Sequence, residues 1–142
     1  MRKYNEHLVI KKLIDRITKS TSPINNSFKY YNFQVEQRSN TICYTDVSII
    51  DYETGEELYS FSFDFILKEL CFYSYKDVEV RNTIIKSFKD YYYGHKFVVI
   101  DEVLVDNIRS LKNTLSLYTP EQEEYEILSK EIEDLKKECD NL

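Results

Sequence analysis

Glycine is nearly missing from this sequence and alanine is missing altogether: Gly55 and Gly94 are the only glycines in 142 residues. Both fall where a turn or a helix end is expected. None is left for the backbone cradles that hold phosphates, dinucleotides or oxyanions, which need positive φ and close backbone approach. Histidine is as scarce, with His7 and His95 alone. Neither has a Cys, His or carboxylate at a metal-ligand spacing, so no metal or cofactor is expected. No Gly-x-Ser-x-Gly elbow presents a serine, and Cys43, Cys71 and Cys139 carry no nucleophile signature. The three cysteines fit no zinc spacing and leave one thiol over under any disulfide scheme, which suits reduced thiols in a cytosolic chain. No stretch approaches the ~20 apolar residues of a bilayer span. The start, Met1 to His7, has no apolar run like that of a signal peptide. The expectation is a soluble cytoplasmic protein that is not an enzyme and has no membrane partner.

What is present is aromatic and charged. Hydrophobic residues make up 42% and aromatic residues 15%, with 13 Tyr, 8 Phe and no Trp, enough apolar content to order the chain. The scarcity of Ala, Gly and Pro beside abundant Ile, Lys, Asn and Tyr is the signature of an AT-rich coding sequence. The net charge of −6 is unevenly spread. Residues 1–20 carry +4, and residues 119–142 carry −6 from nine acids and three lysines. A basic head and an acidic tail attract each other or serve separate partners.

Periodicity organises the chain. Val9, Ile10, Leu13, Ile14 and Ile17 predict an amphipathic helix over residues 4–19, with Lys11, Lys12, Asp15, Arg16 and Lys19 on its other side. Pro23 stops it. The period then changes to two. Tyr31, Phe33 and Val35 form a first strand, and residues 37–40 a connection. A second strand spans about Thr41 to Tyr52, then a turn at Glu53-Thr54-Gly55-Glu56 leads to Tyr59, Phe61, Phe63 and Phe65. This is a three-stranded antiparallel meander with one aromatic face, to which residues 66–75 add a fourth strand or an irregular crossing. Helical spacing returns from Asp77, through Val80, Ile84, Phe88 and Tyr91 or Tyr92, with Gly94 as C-cap. Phe97 to Ile100 reads as a short buried strand, and Leu104, Ile108, Leu111 and Leu115 as another helical stripe.

The sharpest boundary is at Thr119-Pro120. Thr119 is placed as an N-cap, with Pro120 at the first helical position and Gln122 at the capping-box offset. Beyond it Tyr125, Leu128, Ile132, Leu135, Cys139 and Leu142 recur at spacings of three and four, an a/d heptad pattern. The fold class expected is α+β: residues 1–118 as a globular domain, and residues 119–142 as an acidic C-terminal helix. That helix packs on the domain as a helical hairpin or pairs with a second copy as a coiled-coil tail.

Function is read from surfaces. Carboxylates in or near the strands (Asp46, Asp51, Glu53, Asp64, Asp101 and Glu102) read as solubilising groups. Tyr91-Tyr92-Tyr93 with Lys86, Lys89 and Lys96 suggests base stacking beside phosphate-binding lysines, but the overall acidity opposes direct nucleic-acid binding. The tail as a helix spans ~36 Å, where a duplex carries about 21 phosphate charges. A net −6 falls well short of duplex mimicry; plugging of a local Lys/Arg-lined channel is compatible with it. The profile as a whole resembles phage or mobile-element accessory proteins acting in a bacterial host cell, inhibitors of host defence nucleases of the anti-CRISPR class among them. The expectation is a non-catalytic module that occupies a basic protein or nucleoprotein through Glu53, Glu56, Glu57, Glu123, Glu124, Glu131 and Asp134. The alternatives are a homodimer or other homo-oligomer joined through Tyr125, Leu128, Ile132 and Leu135, and a nucleic-acid binder using the tyrosine cluster.

Overall fold

A computed structural model of the protein describes residues 6–18, 25–41 and 43–142. The chain runs α1 (Glu6–Thr18), β1 (Asn26–Tyr30), β2 (Phe33–Thr41), β3 (Tyr44–Asp51), β4 (Glu57–Asp64), β5 (Glu69–Tyr75), α2 (Val78–Tyr91), β6 (Val98–Asp101), α3 (Glu102–Leu115) and α4 (Glu123–Asp140). The class is α+β, as expected. Two compact units form, Met1–Val99 and Ile100–Leu142.

The strands form a mixed sheet in the order β1-β2-β3-β4-β5-β6, with antiparallel pairing from β1 through β5, α2 connecting β5 to β6, and the division between the units falling within β6. The sheet holds six strands where three or four were expected. β1 was missed because only Phe28 and Tyr30 give its five residues an apolar alternation. The expected first strand is displaced, because Tyr31 sits in the β1–β2 turn at φ +54°. β2 runs on through Gln37, Arg38 and Ser39, which read as a connection because they are polar. Residues 69–75 resolve into a strand whose pairing with β4 shifts register between Ser60 and Phe61, and Phe65 falls in the turn before it. The Glu53–Glu56 turn forms as expected, with Gly55 at φ +74°. The expected ends of the first helix, residues 4–5 and 19, and its stop at Pro23 lie outside the described residues.

The core sits on the inner face of the sheet. Phe33, Val35, Val47, Ile49, Tyr59, Phe61, Phe63, Leu70 and Phe72 are buried there, by alternation in each strand. α1 supplies Val9, Ile10, Leu13, Ile14 and Ile17, α2 supplies Val80, Ile84, Ile85 and Phe88, and the two helices pack together. Phe63 is the centre of an aromatic cluster: its ring lies 4.7 Å from Phe88, 5.1 Å from Tyr92, 5.9 Å from Phe97 and 5.2 Å from Phe65. Phe61 meets the edge of Phe88 at 6.0 Å. Such pairs add about 0.5–1.5 kcal/mol each beyond their burial.

Aspartates punctuate the chain at four points. Asp51 Oδ1 accepts from the amides of Glu53 and Thr54, and Asp64 Oδ1 from those of Ile66 and Leu67. Asp77 caps α2 through the amide of Glu79, and Asp101 caps α3 through that of Leu104. These carboxylates hold turns and helix ends by accepting from backbone amides. The Asp64 turn is closed by Lys68 at φ +53°, with its ammonium bonded to the Phe65 carbonyl and placed over the Tyr92 ring.

Phe63→Ala is expected to lower the unfolding free energy by about 3–5 kcal/mol. Asp77→Ala, which removes only a cap, should lower it by about 1 kcal/mol. Urea denaturation followed by circular dichroism separates the two; equal effects would show that the aromatic cluster is not the keystone of the core.

Candidate interaction surfaces

The residues expected at a partner surface fall into both units. Glu53 and Glu56 lie in the β3–β4 turn, Glu57 opens β4, and all three are exposed. Glu57 accepts from the Ser74 hydroxyl at 3.4 Å. Glu123, Glu124, Glu131 and Asp134 are exposed along α4 in the second unit. α4 carries eight carboxylates against three lysines, a net −5.

The second unit is a helical hairpin, with α3 against α4. α4 starts later than Thr119-Pro120 predicts. Residues 119–122 form a turn in which the Gln122 amide donates to the Thr119 carbonyl at 3.0 Å. The Gln122 side chain reaches back to the Thr119 amide at 2.8 Å, so the expected contact exists one turn before the helix. Gln122 itself becomes the N-cap, without a capping side-chain bond, since its amide oxygen is already engaged.

The heptad positions form one stripe on α4. Ile132 is buried, while Tyr125, Leu128, Leu135 and Cys139 are half-buried. On α3, Leu104 is buried, and Ile108, Leu111 and Leu115 are half-buried at matching spacings of four and three. Two helices with a single buried side chain each leave an apolar seam partly in water. Glu124 and Glu131, seven residues apart, lie one position before Tyr125 and Ile132 and so follow one edge of that seam.

The tyrosine cluster divides. The Tyr92 ring stacks on Phe63 at an interplanar angle of 25°, and burial raises its phenol pKa. Tyr93 is 90% exposed, Tyr91 is partly so, and His95 is exposed with its ring edge-on to Tyr92 at 6.2 Å. One ring of the three therefore belongs to the core, leaving no run of stacked, free rings. The His7 side chain lies outside the described residues. Among the described residues no three His, Cys, Asp or Glu groups are clustered to hold a metal ion, and no helix is long and apolar enough to cross a membrane.

The outer face of the sheet carries a hydroxyl network that spacing alone did not reveal. The Tyr73 hydroxyl lies 3.0 Å from Ser62 Oγ and 3.1 Å from the Tyr44 hydroxyl. Ser62 is 2% exposed, so the Tyr73 hydroxyl is held against a buried group although its ring reaches solvent. Desolvation raises the Tyr73 pKa well above the usual phenol value, opposed in part by the Ser62 contact and reinforced by Tyr44. The signal that could have found this site is register: Ser62 faces Cys71 across β4–β5, and Tyr73 stands two residues further along the same face. On the turn, Asp51 is shifted the other way, chiefly by the Thr54 amide.

Comparison with protein families, with curated proteins and with solved structures finds no match to this chain.

Tyr73 is expected to stay protonated at pH values where a free phenol ionises. Its folded pKa is raised above the unfolded value of about 10, so its stabilising contribution is full below that pH and is lost as pH rises through the raised value. Ultraviolet titration of the phenolate band, wild type against Tyr73→Phe, checks this: the variant should lack the latest-titrating component. An unchanged profile would remove the network from the account.

Proposed function

We propose that the protein is a non-catalytic binding module whose helical hairpin docks a basic, nucleic-acid-handling protein and occupies its cationic surface. The observation that carries this reading is the half-buried seam of Ile108, Leu111, Leu115, Tyr125, Leu128 and Leu135, edged by Glu124 and Glu131. An amphipathic helix with an apolar stripe and a basic row repeating every seven residues matches both features. Exposed carboxylates steer the encounter, and removal of the seam from water supplies affinity. An inhibitor seated this way competes with nucleic acid for the same cations. Glu53, Glu56 and Glu57 offer a second set of carboxylates on the first unit.

The same seam supports a second reading, pairing of two copies of this chain. A net −5 on each α4 opposes that arrangement through like-charge repulsion, so the basic partner is the favoured occupant.

The test is capture from a bacterial lysate by the full chain, with a Glu123→Lys, Glu124→Lys, Glu131→Lys, Asp134→Lys variant in parallel. A basic nucleic-acid-binding protein should be retained by the wild type, released by high salt and lost with the variant. Equal retention by both chains, or none by either, would sink the reading. Sedimentation of the wild type beside Leu128→Asp distinguishes self-pairing: a dimer that the substitution dissociates favours the second copy. Ile132→Asp is unsuitable there, because Ile132 is buried within the hairpin and its loss reports on folding.

A further inference from the structure

The β4–β5 turn holds two adjacent aliphatic side chains in water: Ile66 is 72% exposed and Leu67 63%. They do not stand alone. Lys68, next in sequence, has its ammonium over the Tyr92 ring at 5.1 Å, and its carbonyl accepts from the Val98 amide at 3.0 Å. The turn therefore lies beside the end of α2 and the start of β6, where Tyr91, Tyr93 and Val98 are also exposed. An apolar group of this kind, rimmed by charge, marks a surface that meets something other than water. The rim is basic. Residues 86–96 contain Lys86, Lys89 and Lys96 against Asp90 alone, a net +2; adding Asp64, Lys68 and Glu69 leaves +1 in a chain of −6.

The backbone at this end is closed on itself. The Ile66 and Leu67 amides donate to Asp64 Oδ1 at 2.9 and 2.8 Å, and the Phe65 amide donates to the Cys43 carbonyl at 2.8 Å. The Phe65 carbonyl accepts from the Lys68 ammonium, and the His95 amide donates to the Tyr92 carbonyl at 3.1 Å. The turn can leave water without stranding these groups.

We infer that this end of the first unit is a peripheral docking site for an anionic lipid surface. Ile66 and Leu67 enter the boundary between headgroups and acyl chains, Tyr91 and Tyr93 sit at headgroup level, and the lysines face the phosphates. Size selects a lipid surface over a protein. A stable protein interface covers about 800 Å² on each partner, whereas two aliphatic side chains on a turn and a few rings suffice for shallow insertion. Charge selects the class of lipid. Ile66 and Leu67 together hold less hydrocarbon than one myristoyl chain, which alone gives only marginal, reversible binding. The lysines must supply the rest, and only an anionic leaflet attracts them. The acidic groups are concentrated elsewhere: residues 1–99 hold 14 Lys/Arg against 13 Asp/Glu, and residues 100–142 hold 5 against 12. Lys86 pairs with Asp90 at 2.7 Å, but both side chains are exposed, so exchanging that partner for a headgroup phosphate costs little. Tyrosine, with an apolar ring and a polar tip, suits the interface itself.

The docking end shares no residue with the hairpin seam, so the two readings stand or fall separately. The test is flotation of the full chain with vesicles at about 1 mM lipid. One set is phosphatidylcholine alone, and the other is an equal mixture with phosphatidylglycerol. The chain should rise with the mixed vesicles, stay behind with phosphatidylcholine, and be released by high salt. Ile66→Ser and Leu67→Ser should each weaken binding by about tenfold. Lys89→Gln and Lys96→Gln should each weaken it by about fivefold. All four side chains are exposed, and circular dichroism checks that each variant folds. Because the chain has no tryptophan, Leu67→Trp adds a sole reporter whose emission should shift to the blue with the mixed vesicles alone. The inference is overturned if the mixed vesicles leave the chain behind or phosphatidylcholine lifts it equally. Unchanged binding by the serine variants, or an unshifted Trp emission, overturns it as well. A dimer that Leu67→Ser dissociates, without vesicle binding, would assign the surface to a second copy instead.

Discussion

Burial of one aromatic strand face against two helices is the interaction on which the first unit depends. β4 places Tyr59, Phe61 and Phe63 inward, all fully buried, and α2 answers with Phe88 between the last two. With no alanine or tryptophan in the chain, and glycine confined to turns, phenylalanine and isoleucine fill the interior. Large rings in a close-packed interior leave few alternative packings. That fixes the register of β3, β4 and β5, and with it the side chains on the opposite, outer face. The Tyr44–Tyr73–Ser62 network and the polar end of β2 are thereby positioned by the same aromatic core.

Much of the architecture was legible in the sequence, and the gaps have physical causes. Isoleucine and leucine at helical spacing gave α1, α2 and α3, and the serine–phenylalanine alternation gave β4. β1 was illegible because an edge strand of five residues with two outward polar groups has little periodicity. β2 was cut short because inward-facing Gln37 and Ser39 break the apolar alternation that identifies a strand. The start of α4 was placed too early because a Thr-Pro-x-Gln segment satisfies its own turn as readily as it opens a helix.

Sites followed the same division. The acidic residues of α4 and its heptad stripe could be located by counting, since helix geometry converts spacing into faces directly. That the stripe faces α3 with one buried residue per helix is tertiary information, and spacing carries none of it. The aspartates near the strands looked like solubilising groups but act as backbone acceptors. Asp51, Asp64, Asp77 and Asp101 each meet amides within three residues in sequence, a local pattern that Asp-x-x offsets can signal.

The scarcity of glycine reaches into the backbone here. Tyr31 and Lys68 occupy left-handed conformations that glycine or asparagine would adopt at lower cost, by roughly 1–2 kcal/mol at each position. The neighbouring contacts of Lys68, to a carbonyl and to an aromatic ring, are the compensation that lets a bulky residue stay there. The β4–β5 reversal therefore rests on side-chain interactions that glycine would make unnecessary. Drift at Tyr92 would reach the β4–β5 reversal through Lys68, coupling loop geometry to a ring that a residue-by-residue view would assign to the aromatic cluster alone.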